Sequence, residues 1–265
     1  MPDIYEPVDI FISKEGTWHH GGLKMTPQKA LLHTDVVWNA MHGAYGENGR
    51  VQKILQNLQV PFTGSLAVPS ALTMNKNMTK EIFVRHGLLI PKHETIFEAN
   101  FNDEIVGIIF RKYLQPVIIK PVDSGSSIGM SIAHGVKEIK EAMKKAFNFS
   151  QKVLVEEYIK GKPVSCGIID NARGEKVYAL MPMGEKNIVQ NKDIERMAKK
   201  AHEILELRHY SQSDFIISPK GKIYILETDS QPVFHDNSVF HKSLRATGWQ
   251  PKDFVHHVIQ LTLKG

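Results

Sequence analysis

A single cysteine, Cys166, stands among the 265 residues, so an intrachain disulfide is excluded. It lies in an apolar run and reads as a small core residue rather than a nucleophile. No apolar run approaches the length of a membrane span. No basic block is present either. The lysines alternate with glutamates, as in Val136–Lys145 (VKEIKEAMKK), so a net charge of +5 suits a small anionic ligand and lends nucleic acid little support. The first residues carry Asp3 and Glu6 without a long apolar region, which predicts no signal peptide and a cytoplasmic protein. Internal repeats and low-complexity segments are lacking as well. What is there, 42% hydrophobic and 23% charged residues, is ordinary for a soluble globular chain. Its length allows one large core or two to three small lobes.

The most informative stretch is Pro116–Met130, PVIIKPVDSGSSIGM. Val117, Ile118 and Ile119 predict a buried strand that delivers Lys120 to its end, where Pro121 stops regular pairing. Asp123–Gly129 follows with two glycines and three serines. Glycines let backbone N–H groups turn toward a ligand, and serines add hydroxyl donors. A lysine beside such a loop suits a polyphosphate. A polar hairpin with a solvated lysine has the same composition.

Along the chain, Pro7–Ser13 and Asp35–Asn39 read as short strands, and Thr26-Pro27 as a helix start. His42–Gly49 (HGAYGENG) is a polar glycine-rich loop directly behind a strand, with His42 and Glu47 as its titratable members. It is a site candidate, or simple punctuation before the helix expected over Gly49–Gln59. Pro61–Pro69 reads as a lobe boundary. Asn75–His86 reads as a helix that opens on Lys76, where a cation opposes the helix dipole. Ile105–Arg111 is apolar and ambiguous. Gly129–His134 is expected to pair back on Val117–Lys120, and Val136–Phe147 to form an amphipathic helix. Val153–Ile159 (VLVEEYI) is a strand whose Glu156 and Glu157 face opposite sides. Such a strand has the backbone, apolar side chains and acceptor that a purine site needs. Val164–Ile169 and Lys176–Met183 continue as strands, and Asn191–His209 as a long helix.

Ser213–Ser218 and Lys222–Glu227 predict a hairpin. Asp214 would start one strand, and Glu227, followed by Asp229, would end the other. The three carboxylates would then converge at one end. They are solvated hairpin acids, or ligands for Mg²⁺ shared with phosphate.

In these residues the chain resembles an ATP-grasp ligase, and within that group the D-alanine–D-alanine ligase family, from about Val8 to Leu263. The motifs are NAMHGAYGENG (Asn39–Gly49), PFTGS (Pro61–Ser65), ALTMNKNMTK (Ala71–Lys80), IIKPVDSGSSIGM (Ile118–Met130), VLVEEYIKG (Val153–Gly161) and LETDSQP (Leu226–Pro232). The resemblance implies an α/β, three-lobed α+β architecture. Residues 1–67 would form a truncated N-terminal lobe, 68–152 a small central lobe, and 153–265 a C-terminal lobe with an antiparallel sheet. It implies phosphorylation of a carboxylate by ATP, then attack by a second amino acid's amine, as in peptidoglycan precursor synthesis. Lys76 and Lys120 would contact phosphates, under a loop carrying Ser126 and Ser127. Glu156 and Glu157 would face the adenine region, with Ile159 and Leu226 packing around it. Asp214, Glu227 and Asp229 would hold one or two Mg²⁺ ions, Asp229 standing where the family usually has asparagine. His42, Glu47 and Ser238 would lie near the amino-acid substrates, and Ser126, Gln212 and Ser238 near the chemistry. Partners would be small molecules and a second copy in a two-fold dimer, with neither nucleic acid nor membrane.

The chain also departs from the family's pattern. It starts after the family's usual first strand and its glutamate-bearing glycine loop. Gln212 stands where the family has a transition-state arginine. Val233 replaces a glycine whose N–H helps an oxyanion, and Pro163 replaces a ribose-binding glutamate. The lid loop is reduced to Gly184–Gln190. An alternative function follows from these departures: an ATP-grasp domain that binds nucleotide or a partner without ligation.

Overall fold

The computed structural model describes residues 4–125, 128–184 and 187–264. It opens with an antiparallel meander of β1 (Ile10–Ile12), β2 (Trp18–His20) and β3 (Leu23–Met25). Three short helices follow: α1 (Pro27–Ala30), α2 (Ala44–Glu47) and α3 (Arg50–Asn57). Thr26 caps α1 as the Thr-Pro pair predicts, its hydroxyl accepting from Lys29 N. The strand expected over Asp35–Asn39 does not form. Val37 makes one isolated parallel bridge to Phe62, and beyond it the Asn39 N–H donates to Thr63 Oγ1 at 3.2 Å rather than to a ladder. Trp18, Leu31, Val51, Leu55 and Phe62 form the core of this lobe.

Next come α4 (Ala67–Met74) and α5 (Lys76–Arg85). The turn-rich stretch read as a boundary thus already contains the start of a helix. Pro69 falls in its first turn, where a missing N–H costs nothing. The central sheet is built from β4 (His93–Phe97), β5 (Val117–Pro121), β6 (Ser131–Ala133) and β7 (Lys152–Glu157), all antiparallel in the order β4-β7-β5-β6. Helices α6 (Asp103–Lys112) and α7 (Val136–Phe147) cover it, burying Val106, Ile109, Ile139 and Met143 against Val117, Ile119, Val153 and Val155. The ambiguous Ile105–Arg111 run is therefore helical. Asn102 caps it with a 2.9 Å bond from Ile105 N, and acids open and bases close it, as the dipole favours. Strand β7 carries the central sheet to Glu157, past the boundary expected after residue 152.

The C-terminal sheet contains β8 (Lys162–Ala172), β9 (Glu175–Ala179), β10 (Tyr210–Ile217) and β11 (Ile223–Asp229), antiparallel in the order β11-β10-β8-β9. One face buries Cys166, Ile168, Phe215 and Ile225 against α8 (Ile188–Ile204) and Phe83 of α5. The other packs Tyr210 against Phe240 of α9 (Val239–Ala246) and Phe254 of α10 (Pro251–Lys264), with Trp38 alongside. Cys166 is fully buried, and burial pushes its thiol pKa up, so it is inert. Helix α8 is shifted toward the N-terminus of its expected span. Asn187 caps its start, and Glu206, at φ 53, has left the helix.

A buried polar seam joins the first and last lobes. Arg208 Nε donates to the Gly64 carbonyl at 2.8 Å, and Gly64 N donates to His209 Nδ1 at 3.0 Å. Asp170 accepts from His209 N at 2.5 Å and lies 3.1 Å from His202 Nε2. Burial holds the His209 imidazole down to about 4, and the Arg208 charge pushes the same way. A base kept neutral by the fold stabilises it above the unfolded pKa near 6.5 and loses that contribution as pH falls toward 4. Chemical denaturation of His209→Gln should therefore show less acid destabilisation than the parent, by about 3 kcal/mol across that window. Asp229 titrates with the opposite sign, so the difference between the two proteins is the readout. Equal pH slopes would contradict the assignment.

Candidate active site

Four segments meet at one cleft: the end of α4 with the start of α5, the glycine loop after β5, the end of β11, and the His42–Glu47 loop. Glu47, Met74, Lys76, Gly125, Glu227 and Asp229 line it, together with Thr73, Ser230 and Gln231. Its open volume is about 30 Å³, room for roughly two waters. Four of the candidates that the sequence suggests, Glu47, Lys76, Glu227 and Asp229, come together here.

Lys76 is the first residue of α5. The Asn75 side chain caps that helix by accepting from Met78 N at 3.1 Å, and Lys76 N donates to the Val122 carbonyl at 3.1 Å. Its ammonium donates to the Ser124 carbonyl of the glycine loop. Burial lowers its pKa and Lys120 adds to this, while Glu227 and Asp229 oppose it. Lysine at a helix start is unfavourable locally; the acids across the cleft and the loop carbonyl compensate.

The hairpin forms, with Asp214 directly opposite Glu227 and Asp229 opposite Gln212. Strand β10 begins at Tyr210 because it also pairs along β8, so Asp214 lies within the strand rather than at its start. The ladder shifts register just after it. Gln212 Nε2 donates to Asp214 Oδ1 at 3.1 Å. Burial raises the Asp214 pKa, and the Glu227 charge adds to it. Asp229 is raised well above the usual carboxylate range by lost solvation, then by Glu227, Asp214 and Glu47. Asp229 is nonetheless open to the cleft. Among the described residues no three His, Cys, Asp or Glu side chains are grouped closely enough to hold a metal ion. The expected three-carboxylate site is thus not preformed. Its chemistry still fits Mg²⁺, which is usually held by one or two carboxylates and completed by phosphate oxygens. Mutual repulsion among these acids is relieved by such an ion.

Lys120 lies next to this cleft at the end of β5, but paired. Its Nζ is 3.0 Å from Glu156 Oε2, and Lys80 Nζ is 2.8 Å from Glu156 Oε1. Lys120 and Lys80 hold the Glu156 carboxyl down at about 2 against the pull of burial. Glu156 therefore offers no free acceptor of the kind expected for an adenine edge. Glu157 faces the other way, half-buried, and its carboxylate accepts from Lys92 N at 3.4 Å. Ile159 and Leu226 are half-buried and do not line the cleft. Ser126 and Ser127 lie outside the described residues, as do Glu185 and Lys186 of the shortened lid stretch.

In the His42–Gly49 loop, Gly43 N donates to Glu47 Oε1 at 2.9 Å, and His42 Nδ1 lies 3.5 Å from the same oxygen. His42 itself is exposed. A Cβ on Gly125 would come within 2.9 Å of Glu47 Oε2, so the two glycine loops touch. Ser238 does not line the cleft. It is the N-cap of α9, accepting from His241 N at 3.2 Å.

Two residues that sequence reasoning missed fix this geometry. Gln231 Oε1 accepts from Asn39 Nδ2 at 2.8 Å, and its Nε2 donates to the carbonyls of Asn39 (3.2 Å) and Met41. All three bonds are buried or partly buried, and they tie the His42–Glu47 loop to the carboxylate-bearing hairpin across 190 residues of chain. Gln231→Ala should cost about 1–3 kcal/mol in thermal unfolding, because the buried Asn39 amide and the Asn39 and Met41 carbonyls lose the Gln231 partner. Lys80, the other missed residue, stands four after Lys76. That i,i+4 spacing was the available signal.

A lysine-bearing glycine loop on one antiparallel sheet, facing acids at the hairpin end of a second, is the ATP-grasp arrangement of a ligase fold. Solved structures agree. A D-Ala:D-Ser ligase from Enterococcus faecalis superposes with a TM-score of 0.83 at 22% identity, covering 96% of this chain and 89% of that one. The D-alanine–D-alanine ligase from Coxiella burnetii gives 0.81 at 22% identity, covering 97% and 75%. Family models described as D-ala D-ala ligase N-terminus and C-terminus match residues 14–65, and 82–188 with 180–260. A D-alanine–D-alanine ligase from Maridesulfovibrio salexigens is 32% identical over 250 residues, 86% of this chain and 81% of that protein. One from Aquifex aeolicus is 30% identical, over 89% and 86%. The chain belongs to the D-alanine–D-alanine ligase family.

Proposed function

We propose that this chain is an ATP-dependent carboxylate–amine ligase that joins two D-alanines through an acylphosphate. Family membership supports this reading, and one observation carries it: Lys76 and the acids Glu227 and Asp229 line the same cleft under the glycine loop. In this reading Lys76 exchanges the Ser124 carbonyl for a phosphate oxygen, the stronger acceptor for an ammonium. Lys120 takes a second phosphate contact. Glu227, with Asp214 or Asp229, holds Mg²⁺, which would supply charge neutralisation at the transferring phosphoryl group.

The first D-alanine's carboxylate attacks the γ-phosphorus, and ADP leaves. The second D-alanine's neutral amine then attacks the acyl carbon, phosphate leaves, and a proton is lost. Glu47 lines the cleft with one carboxylate oxygen tied to Gly43 N, which leaves the other for a substrate ammonium. His42 and Ser238 belong to the same substrate side in this reading. Positioning and neutralised charge do most of the catalytic work. The same reading includes a homodimer.

The test is ADP release from Mg²⁺–ATP with a panel of D- and L-amino acids, with product masses read in the same tubes. Release that requires D-alanine and yields D-alanyl-D-alanine is the expected result. ATP binding with no release in any tube would replace this reading with a nucleotide-binding relative that does not ligate.

A further inference from the structure

We propose that Lys80 is a positioning residue for the nucleotide: by taking half of Glu156, it keeps Lys120 available to phosphate. The inference rests on the ATP reading above and deepens it.

Lys76 and Lys80 lie one turn apart on the same face of α5. Lys76 reaches the cleft. Lys80 is sealed behind it, its side chain 1% exposed, and Glu156 is 3% exposed. Lys120 on the other side of Glu156 is 10% exposed, the most open of the three. Two ammonium groups thus share one carboxylate, one oxygen each, and the cluster keeps a net charge of +1. Take Lys80 away, and Glu156 would direct both oxygens and its whole charge at Lys120. The pair would then be neutral, and a phosphate would have to compete with a buried carboxylate for that ammonium.

With Lys80 present, Lys120 spends one donor on Glu156 and keeps the others for a ligand. Stability alone gives no reason for the arrangement. A buried lysine carries a desolvation cost that an apolar side chain of similar length avoids. Lys80 Nζ also has no polar partner besides Glu156 among the described residues. What the second lysine adds is an unneutralised charge at the strand end that faces the phosphates.

The experiment compares the parent, Lys80→Met and Lys80→Met/Glu156→Gln. Each is checked for folding by circular dichroism, then titrated calorimetrically with ATP and with inorganic triphosphate, a probe without adenine. Lys80→Met should weaken triphosphate binding on the order of tenfold or more. The double variant restores +1 at Lys120 and should recover to within about threefold of the parent. In turnover, Lys80→Met should raise the KM for ATP and leave the KM for the amino acid unchanged, a split that mere loosening of the fold would not produce. Triphosphate binding by Lys80→Met equal to the parent's overturns the inference alone, as does a double variant that stays at the single variant's level. If Lys80→Met does not fold, the double variant decides: parent-like binding supports the charge argument and lost binding overturns it. A parent that binds neither ATP nor triphosphate would overturn the nucleotide reading and this inference with it.

Discussion

Gln212→Arg combined with Val233→Gly raises turnover about 10²–10³-fold. Gln212 faces Asp229 across the β10–β11 ladder and already donates to Asp214. An arginine there places a permanent positive charge among Asp214, Glu227 and Asp229, the acids whose repulsion and lost solvation raise the Asp229 pKa. That charge sits beside the transferring phosphoryl group in the proposed reaction. Glycine at 233 opens the backbone N–H to an oxyanion that a β-branched side chain crowds. Gln212→Arg alone adds a donor, worth the stated factor, and Val233→Gly only uncovers an N–H that is already there. ADP production with D-alanine measures it. No turnover in parent and variant alike would favour a nucleotide-binding relative over a latent ligase.

Lys76→Met lowers kcat/KM for ATP roughly 10²-fold or more, with little loss of stability. Lys76 is the described cation lining the cleft, opposite Glu227 and Asp229. Removing a desolvated charged partner costs about 2–5 kcal/mol in binding. Stability is spared because, among the described residues, the ammonium's own hydrogen bond goes to the Ser124 carbonyl, which water can satisfy. Steady-state kinetics and thermal unfolding on the same preparation separate the two effects. A parallel fall in Tm and activity would instead make Lys76 a structural residue.

Much of this was legible in the chain. The helix over Val136–Phe147 follows from apolar periodicity and formed as read, and the β10–β11 hairpin formed with a first strand that begins earlier, at Tyr210. Four cleft residues, Glu47, Lys76, Glu227 and Asp229, were candidates from loop composition, helix-start chemistry and cross-strand pairing, each with a solvated alternative, and the family resemblance is what favoured the site reading. Helix α4 was hidden by turn-forming residues at its start, and the Asp35–Asn39 strand failed for want of a neighbouring ladder. The contacts that sequence could not supply are the long-range ones. Nothing local to Gln231 announces Asn39 as its partner. The two adjacent glutamates, Glu156 and Glu157, look alike until Lys80 and Lys120 close on one of them. Ser238, read as a substrate contact, has a local task that its spacing to His241 explains, that of a helix cap.

In the proposed reaction ATP activates a carboxylate as an acylphosphate in this cleft. The most direct measurement uses D-alanine labelled with ¹⁸O in its carboxylate, with the released inorganic phosphate read by mass. Each phosphate should carry one ¹⁸O atom, transferred when the amine displaces the acylphosphate. Phosphate free of label, formed while ADP accumulates, would mean that water rather than the carboxylate receives the phosphoryl group, and would rule out the acylphosphate.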